Sequence, residues 1–424
     1  MQNNIKTGWK RNFLIIWIGQ AFSLLGSELV QFTLVWYLTK TTGSPSVLAL
    51  ASFVALIPSV IIGPFTGALV DRLNRKRVMI LADAGIAAFT MILAVVFYLG
   101  RVQVWHIYAI MFIRSLGRGF HWPAMEASTS LLVPKGQLSR ISGLNQTLHG
   151  ALGILSPIFA ALLLEYLPMS SILSLDVLTA FLAIAALLLV EIPQPPRLTV
   201  EDPQKPAHIL ADVKFGFHYL INWKGMFYMA VGAALLNFLL SPGYTFTPLL
   251  VTEYFGKGAL ELSLIESAFS VGMILGGILL SIWGGFRKNI VTTLAGLLGL
   301  GGSTLLIALA PADKFSLAVF GMALTGFMMP ITNGPLFAIM QANVEPEVQG
   351  RVFSMMQSMS SAMMPIGMLI AAPVAELIGI RGWLLFGASG CLAMGVAGFF
   401  IPELLNVEEE SAEKRKILLE QKNL

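Results

Sequence analysis

The sequence predicts an all-α, polytopic membrane protein with twelve transmembrane helices in two pseudo-symmetric six-helix bundles. Hydrophobic residues make up 56% of the 424 positions and charged residues only 12%, about half the charged share of an ordinary soluble domain. Apolar stretches of about 20 residues, long enough to cross a hydrocarbon core of about 30 Å, recur along nearly the whole chain. A segment of the first half is also repeated in the second half.

The apolar stretches and the residues that interrupt them predict twelve spans in two sets of six. These spans lie near residues 12–38, 46–70, 78–99, 104–132, 140–167, 171–190, 224–251, 259–284, 289–310, 314–342, 350–378 and 382–402. Between the sets, a polar segment with several prolines and mixed charges is typical of a linker. We therefore expect an N-terminal bundle over residues 1–190, a linker over 191–222, a C-terminal bundle over 223–402 and a tail over 403–424.

The distribution of cationic residues predicts the orientation in the membrane. Most Lys and Arg residues fall in the two tails, the linker and alternate short loops, whereas the opposite loops hold only a few, such as Lys40 and Arg101. Short cytoplasmic loops carry an excess of cations. We therefore expect both termini and the linker to be cytoplasmic.

Several function classes are disfavoured by the composition and the spacing of residues. The net charge of +4 does not indicate nucleic-acid binding, because the cations are not gathered on one surface. No set of His, Cys, Asp and Glu has the spacing of a metal site, and no phosphate-binding loop or nucleophile elbow is present. The single cysteine, Cys391, cannot form an internal disulfide. We expect no metal, no cofactor and no enzymatic activity.

An internal repeat supports the two-bundle organisation. The segment RISGLNQTLHGALGILSPIFAALLLEYL from Arg140 aligns without gaps on RVFSMMQSMSSAMMPIGMLIAAPVAELI from Arg351. At nearly the same offset, LNRKRV faces GFRKNI, so that Lys76 corresponds to Lys288. Duplicated six-helix halves with a site between them are typical of secondary transporters.

The loop between the second and third predicted spans resembles a motif of the major facilitator superfamily. The matching residues are Gly67, Leu69, Asp71, Arg72, Arg75 and Lys76, which fit the pattern G-x-L-a-D-r-x-G-r-K. Asn74 replaces the glycine of that pattern, and asparagine also tolerates a left-handed backbone. The resemblance implies that Asp71 contacts the chain near Gly350 and gates the cytoplasmic side. The alternative is that the cations only set topology.

Two further segments extend this resemblance. In the fifth span, LGILSPIFAA resembles the antiporter pattern g-x-x-x-G-P-x-x-G-G of the family, with Ser156 and two alanines in place of glycines. Gly153, Ser156 and Pro157 are the predicted helix-packing motif. Over the full length, including WIGQAFSLL, YLTKTTGSPSVL and LVPKGQLSR, the chain resembles the macrolide-efflux branch.

This resemblance implies the major facilitator fold and a proton-coupled exporter of amphipathic drugs such as macrolides. The protein would be a monomer in the bacterial cytoplasmic membrane, with protons, the substrate and lipid as its partners. The alternatives are export of an endogenous amphiphile such as a siderophore or lysolipid, uptake of a nutrient, or, in another class, a receptor that transports nothing.

Charged residues within the spans are the candidates for proton coupling, because a charge at that depth must face water, a partner or a proton. These candidates are Glu28, Arg114 and Glu266. For Glu28 an ion pair with Arg114 or another helix is the structural alternative. Asp83 lies two turns beyond Arg75 and Lys76, and pairing with these cations would account for it.

Polar and methionine side chains on the inner helix faces are the candidates for the substrate cavity. They are Gln31, Arg118, Asn237, Tyr244, Met359 and Met363. Flexible thioethers adapt to irregular apolar ligands, although methionines also fill gaps or face lipid. His121 shares a face of the fourth span with Arg114 and Arg118, and either a proton shuttle or a hydrogen bond to a neighbour would explain it.

Overall fold

A computed structural model describes residues 2–134, 137–192, 217–344 and 349–409. Within these ranges the chain is almost entirely helical. The long helices are α1 (Gln2–Thr42), α2 (Pro45–Arg72), α3 (Arg75–Tyr98), α4 (Val104–Leu132), α5 (Leu138–Tyr166), α6 (Met169–Leu189), α7 (Lys224–Thr245), α8 (Ala259–Trp283), α9 (Asn289–Leu309), α10 (Phe315–Asn343) and α11 (Gln349–Gly398). Short segments add a turn of helix at Thr247–Leu249, a π-helix at Leu250–Tyr254 and a helix at Pro402–Leu405, and residues 217–222 are also helical.

The last long helix is broken in the middle. Helix α11 has 50 residues, but Gly379 has φ 78° and ψ 160°, which is not helical. A straight helix of that length would measure about 75 Å, more than twice the hydrocarbon thickness of about 30 Å. The break divides α11 into two arms that correspond to the predicted spans 350–378 and 382–402, so the helices are consistent with twelve spans.

The lengths and surfaces of the helices fit a bilayer. Among the described residues, nine helices are long and apolar enough to cross a membrane. Large apolar side chains also point away from the protein, as at Leu81, Ile282 and Leu377, which are 71%, 80% and 84% exposed. A soluble surface would not carry such residues on most of its helices. The chain is a multi-pass membrane protein.

The chain divides into two compact units. Unit 1 comprises Met1–Glu201 and Val251–Ser267, and unit 2 comprises Asp202–Leu250 and Ala268–Leu424. The predicted domain boundaries at residues 190 and 223 stay predictions, and most of the predicted linker (193–216) and of the tail (410–424) lies outside the described residues.

Small residues bring helices close together in unit 1. A Cβ atom added at Gly19 of α1 would lie 2.6 Å from the Cβ of Ala186 on α6. Gly26, two turns further along α1, similarly faces Thr179 and Asp176. Close approach through small residues is a main source of helix association in membranes, where the hydrophobic effect does not distinguish lipid from protein. This contact places polar groups of α1 and α6 next to each other.

Unit 2 contains an even closer helix pair. A Cβ atom at Gly272 or Gly276 of α8 would collide with the backbone carbonyl of Ala323 or Phe327 on α10. Conversely, Gly326 of α10 faces the carbonyl of Phe269. The two backbones therefore touch without side chains between them.

The single cysteine lies in the core of unit 2. Cys391 is fully buried beside Leu239, Leu300 and Leu297. Its neighbours are apolar, and it contributes to packing as a small hydrophobic side chain.

Candidate functional site

The first polar pair of unit 1 joins α1 to α4. Arg118 Nη2 donates a hydrogen bond to Glu28 Oε1 at 3.3 Å, and the two side chains are 44% and 42% exposed. The sequence offered Arg114 as a partner of Glu28, but Arg114 points elsewhere. Glu28 therefore has an arginine partner, as its depth requires, and it keeps an accessible carboxylate.

Arg114 lies in a buried polar cluster formed by four helices. Its Nη1 atom donates to Asp176 Oδ2 of α6 at 2.5 Å and to Thr90 Oγ1 of α3 at 3.0 Å, and its Nη2 atom donates to the carbonyl of Ser27 on α1 at 3.2 Å. The Ser27 hydroxyl donates to the other oxygen of Asp176 at 3.4 Å. Arg114 and Asp176 are almost fully buried, so each ion compensates the charge of the other.

A second buried carboxylate, Asp83 of α3, contacts α1 and α4. Gln20 Nε2 donates to Asp83 Oδ2 at 3.2 Å, and His121 Nε2 lies 3.4 Å from Asp83 Oδ1. The predicted pairing of Asp83 with Arg75 and Lys76 is wrong, because both cations bind carbonyl groups nearer the end of the bundle.

The described part of the predicted gating motif anchors helix ends within unit 1. Arg75 is buried and donates to the carbonyl of Ala127 at 2.8 Å, while Lys76 Nζ donates to the carbonyls of Leu188 and Val190 at 3.3 and 2.9 Å. These carbonyls lie at the C-terminal end of α6, where a cation is favourable. Gly67, Asp71 and Arg72 belong to the last turns of α2, and their side chains lie outside the described part. The latch between Asp71 and Gly350 stays a prediction.

Asn74 caps α3 instead of adopting a left-handed turn. It has φ −72° and ψ 107°, and its side-chain oxygen accepts a hydrogen bond from the Arg77 amide at 3.1 Å. The expectation of a left-handed residue at this position is therefore wrong. Asparagine is a favoured N-cap residue, because its side chain satisfies an unpaired amide of the first helical turn.

The corresponding loop of unit 2 makes a similar contact. Lys288 Nζ donates to the carbonyl of Leu405 at 3.4 Å and forms a salt bridge with Glu409 at 2.9 Å. Glu408 Oε1 accepts from the amide of Ile290 at 2.9 Å, so it caps the first turn of α9. The chain after α11 is thus held against the start of α9.

Unit 2 contains a cavity of about 480 Å³ between α7, α9, α10 and α11. Its wall is mostly apolar and includes Phe337 and Met356. Polar groups enter it at a few points, and Asn237 Nδ2 donates to Ser360 Oγ at 2.7 Å. Ligand pockets typically combine such an apolar wall with a few placed polar groups.

The other predicted cavity residues lie elsewhere. Tyr244 lines a smaller cavity of about 20 Å³ and stacks edge-on against Phe269. Met359 is half-buried and packs against the core of unit 2, while Met363 and Gln31 are half-buried on α11 and α1. Of the six predicted residues, the structure brings Asn237 to the large cavity and Arg118 to Glu28. Their roles stay predictions.

The predicted packing segment of α5 contacts the first part of α8 within unit 1. Ser156 and Pro157 are buried and Gly153 is half-buried. The Ser267 hydroxyl donates to the carbonyl of Ile154 at 3.0 Å. Glu266, which precedes this serine, is half-buried at the same level.

Sequence reasoning missed Thr90 and Ser360, and it did not assign Asp176 to Arg114. A buried arginine requires a carboxylate, and Asp176 is the only acidic residue of α6, so this pair had a detectable signal. Ser360 had none, because serine is common among the small residues of α11. Among the described residues, no group of three or more His, Cys, Asp and Glu side chains could hold a metal ion.

Comparisons with known proteins agree with this architecture. A family profile described as Major Facilitator Superfamily matches residues 16–368 and 244–422. Macrolide efflux protein A of Streptococcus pyogenes is 35% identical over 401 residues, which cover 94% of this chain and 98% of that protein. Macrolide efflux protein A of Enterococcus faecalis is 36% identical over 327 residues, 77% of this chain and 100% of that protein.

A solved structure has the same fold. A POT family transporter in complex with a thioalcohol conjugated peptide superposes with a TM-score of 0.71 at 12% identity, over 92% of this chain and 96% of that one. The chain belongs to the major facilitator superfamily, in the branch of the macrolide efflux proteins.

Proposed function

We propose that this protein exports macrolide-like amphipathic drugs across the bacterial cytoplasmic membrane in exchange for protons. The observation that carries the proposal is the similarity to macrolide efflux protein A over 98% of that relative's length. The protein acts as a monomeric transporter and not as an enzyme, with both termini in the cytoplasm, as the distribution of cations favours.

The cavity of unit 2 suits an amphipathic substrate. Its volume of about 480 Å³ lies within the usual range for ligand pockets, about 300–1,000 Å³. Methionine and phenylalanine side chains adapt to irregular apolar surfaces, while Asn237, Ser360 and Gln357 offer hydrogen bonds to hydroxyl and carbonyl groups of a ligand. Tyr244, Met359, Met363 and Gln31 are proposed to contact the substrate at other stages of transport.

Glu28 is the proposed proton-coupling residue of α1. Its carboxylate is accessible and held by Arg118 at 3.3 Å, so a proton or a cationic amine of the substrate competes with the arginine for it. Arginine does not lose its proton in proteins. A coupling role of Arg114 therefore requires that Asp176 bind the proton. Glu266 on α8 is the remaining candidate for proton coupling.

Two motifs supply the proposed conformational control. The loop from Gly67 to Lys76 gates the cytoplasmic side through Asp71, Arg72 and Arg75, and the segment Gly153, Ser156 and Pro157 lets α5 slide or bend against its neighbours. Both proposals rest on the family resemblance and on the helix-end contacts of Arg75 and Lys76.

Transport into everted membrane vesicles tests the function. Everted vesicles from cells that produce the protein would be placed in a medium that contains radiolabelled erythromycin. A pH step would then make the vesicle interior more acidic than the medium. We expect accumulation that a protonophore abolishes and that vesicles without the protein do not show. Accumulation that ignores both the pH step and the protonophore would refute antiport, and no accumulation under any gradient would refute macrolide export.

A further inference from the structure

Unit 1 contains two buried carboxylates that have different kinds of partner. Asp176 binds Arg114, which stays protonated at any physiological pH. Asp83 faces His121, and an imidazole ring has both a neutral and a protonated form. Both pairs include a residue of α4, but Asp176 lies on α6 and Asp83 on α3. Because arginine keeps its proton, only the pair of Asp83 and His121 has two protonation states available to both members.

We propose that Asp83 and His121 form a proton-binding dyad in the path of the transported proton. This inference rests on the proposed proton antiport and adds a site on α3 and α4 to the candidates Glu28 and Glu266. The dyad binds one proton in the gap between His121 Nε2 and Asp83 Oδ1, and it releases that proton to water.

The charge balance of the dyad supports this role. When His121 is neutral, Asp83 is a buried carboxylate with one amide donor, Gln20. One added proton brings the pair to zero net charge, which is much more favourable in a membrane interior. His121 Nε2 is buried and makes no hydrogen bond within the described residues, so this nitrogen is not committed to another acceptor.

A cavity beside His121 is lined by further polar groups of unit 1. It measures about 50 Å³ and is lined by His121, Gln20, Trp17, Asn145, Glu126 and His149. A water molecule needs about 10–15 Å³ of such volume and two to four polar partners, so the cavity has room for a few waters. Besides His121, the titratable groups that line this cavity are Glu126 on α4 and His149 on α5, while α1 contributes Gln20 and Trp17. The charged pair of Glu28 and Arg118 lies on α1 and α4.

The dyad also lies next to the pair of Glu28 and Arg118. His121 follows Arg118 by three residues on the same face of α4, a rise of about 4.5 Å. On α1, Gln20 precedes Glu28 by eight residues, a rise of about 12 Å. His121 thus lies one helical turn from Arg118, the partner of Glu28, and beside the cavity.

A titration of the histidine rings tests the dyad without any substrate. The full-length protein would carry ¹⁵N only in its histidine side chains, in lipid nanodiscs, and its NMR signals would be followed from pH 5 to 9. The signal lost in His121→Gln identifies His121, and His218→Gln at an exposed position is the matched control. We expect the pH-dependent change of the His121 signal to differ between the wild type and Asp83→Asn, because the ring shares its proton with the carboxylate only in the wild type. The same pH-dependent change in both proteins, or a His121 signal that does not change with pH in the wild type, would overturn the proposal.

Transport by the same variants in liposomes is the second arm. In His121→Gln and Asp83→Asn, we expect the rate of erythromycin transport driven by a pH gradient to fall at least tenfold. The rate of erythromycin exchange without a gradient should stay within threefold of the wild type. An equal loss of both activities in the two variants would indicate a purely structural pair and overturn the proposal, as would unchanged driven transport. If the wild type moves no erythromycin, the proposed function fails, and the titration still decides whether the dyad exists.

Discussion

Lys76 and Lys288, which occupy equivalent positions of the internal repeat, each donate to backbone carbonyls at the end of a helical segment in their own unit. Lys76 binds carbonyls at the C-terminal end of α6, and Lys288 binds the carbonyl of Leu405, at the end of the short helix that follows α11. The repeat therefore preserves a contact as well as a sequence.

Replacement of Lys76 separates anchoring from topology. Lys76→Met removes the two bonds to Leu188 and Val190, whereas Arg77→Met removes an exposed cation of the same loop. Each net hydrogen bond is worth about 0.5–1.5 kcal/mol. We expect purified Lys76→Met to have a lower melting temperature than the wild type, and purified Arg77→Met to melt at nearly the same temperature as the wild type. Equal melting temperatures for the two variants would leave only the topological role for Lys76.

The buried pair of Arg114 and Asp176 predicts strong coupling between the two positions. Arg114→Leu leaves the carboxylate of Asp176 without its cation, which costs about 3–5 kcal/mol of unfolding free energy in comparable sites. The double variant Arg114→Leu and Asp176→Leu removes both charges, so we expect it to be more stable than Arg114→Leu. Unfolding in mixed micelles with increasing SDS measures the unfolding free energy of the wild type, Arg114→Leu, Asp176→Leu and the double variant. Simple addition of the two single effects would contradict the coupling.

Glu28→Gln tests the coupling carboxylate of α1. The amide keeps a hydrogen-bond acceptor for Arg118 but cannot take up a proton, so we expect driven erythromycin export to fall at least tenfold while gradient-free exchange persists. Glu165→Gln, at the exposed end of α5, is the matched control. Driven export that survives in Glu28→Gln would remove this residue from the coupling mechanism.

The polar contact in the cavity of unit 2 predicts a loss of affinity. Ser360→Ala removes the cavity hydroxyl that accepts from Asn237, which also donates to the carbonyl of Ala233. We expect erythromycin to bind about three- to tenfold more weakly, since a hydrogen bond contributes about 0.5–1.5 kcal/mol. Ser281→Ala is the control, because that exposed hydroxyl bonds only to the carbonyl of Ile278 in its own helix. Equilibrium binding of the radiolabelled drug to purified protein provides the measurement, and equal affinities would place the drug outside this cavity.

Neighbouring glycines of α8 provide a sharp test of helix packing. A methyl group at Gly276 would collide with the backbone of Phe327, whereas nothing lies within 4 Å of the same group at Gly277. Gly276→Ala should lower stability by about 1–3 kcal/mol, and Gly277→Ala should leave it unchanged or raise it, because alanine favours the helix. Thermal unfolding of the two variants should differ by several degrees, and identical curves would contradict the backbone contact.

Much of the fold follows from the sequence because the length of each apolar stretch is set by the thickness of the bilayer. Even the break at Gly379 was expected as the gap between the last two spans. The partners of the buried charges were harder to predict. Arg114 clearly needed a carboxylate, but Glu28, Asp83 and Asp176 were all possible, and only the packing of the helices selects Asp176.

The candidate site shows the same limit. Asn237 was found because its helix face is polar, whereas the cavity beside it depends on how four helices diverge. Asp83 was assigned to the nearest cations along the chain, but helix packing brings Gln20 and His121 closer. Sequence periodicity identifies the face of a helix on which a residue lies. Only the three-dimensional structure shows which neighbouring helix packs against that face.

The burial of Cys391 has a practical consequence for spectroscopy. Thiol reagents attack an accessible thiolate, and no atom of this side chain is open to solvent or lipid. A cysteine introduced on any exposed helix end should therefore accept a spin label or a fluorophore in the otherwise native chain. Distances between pairs of such labels can follow the transport cycle without prior removal of the natural thiol.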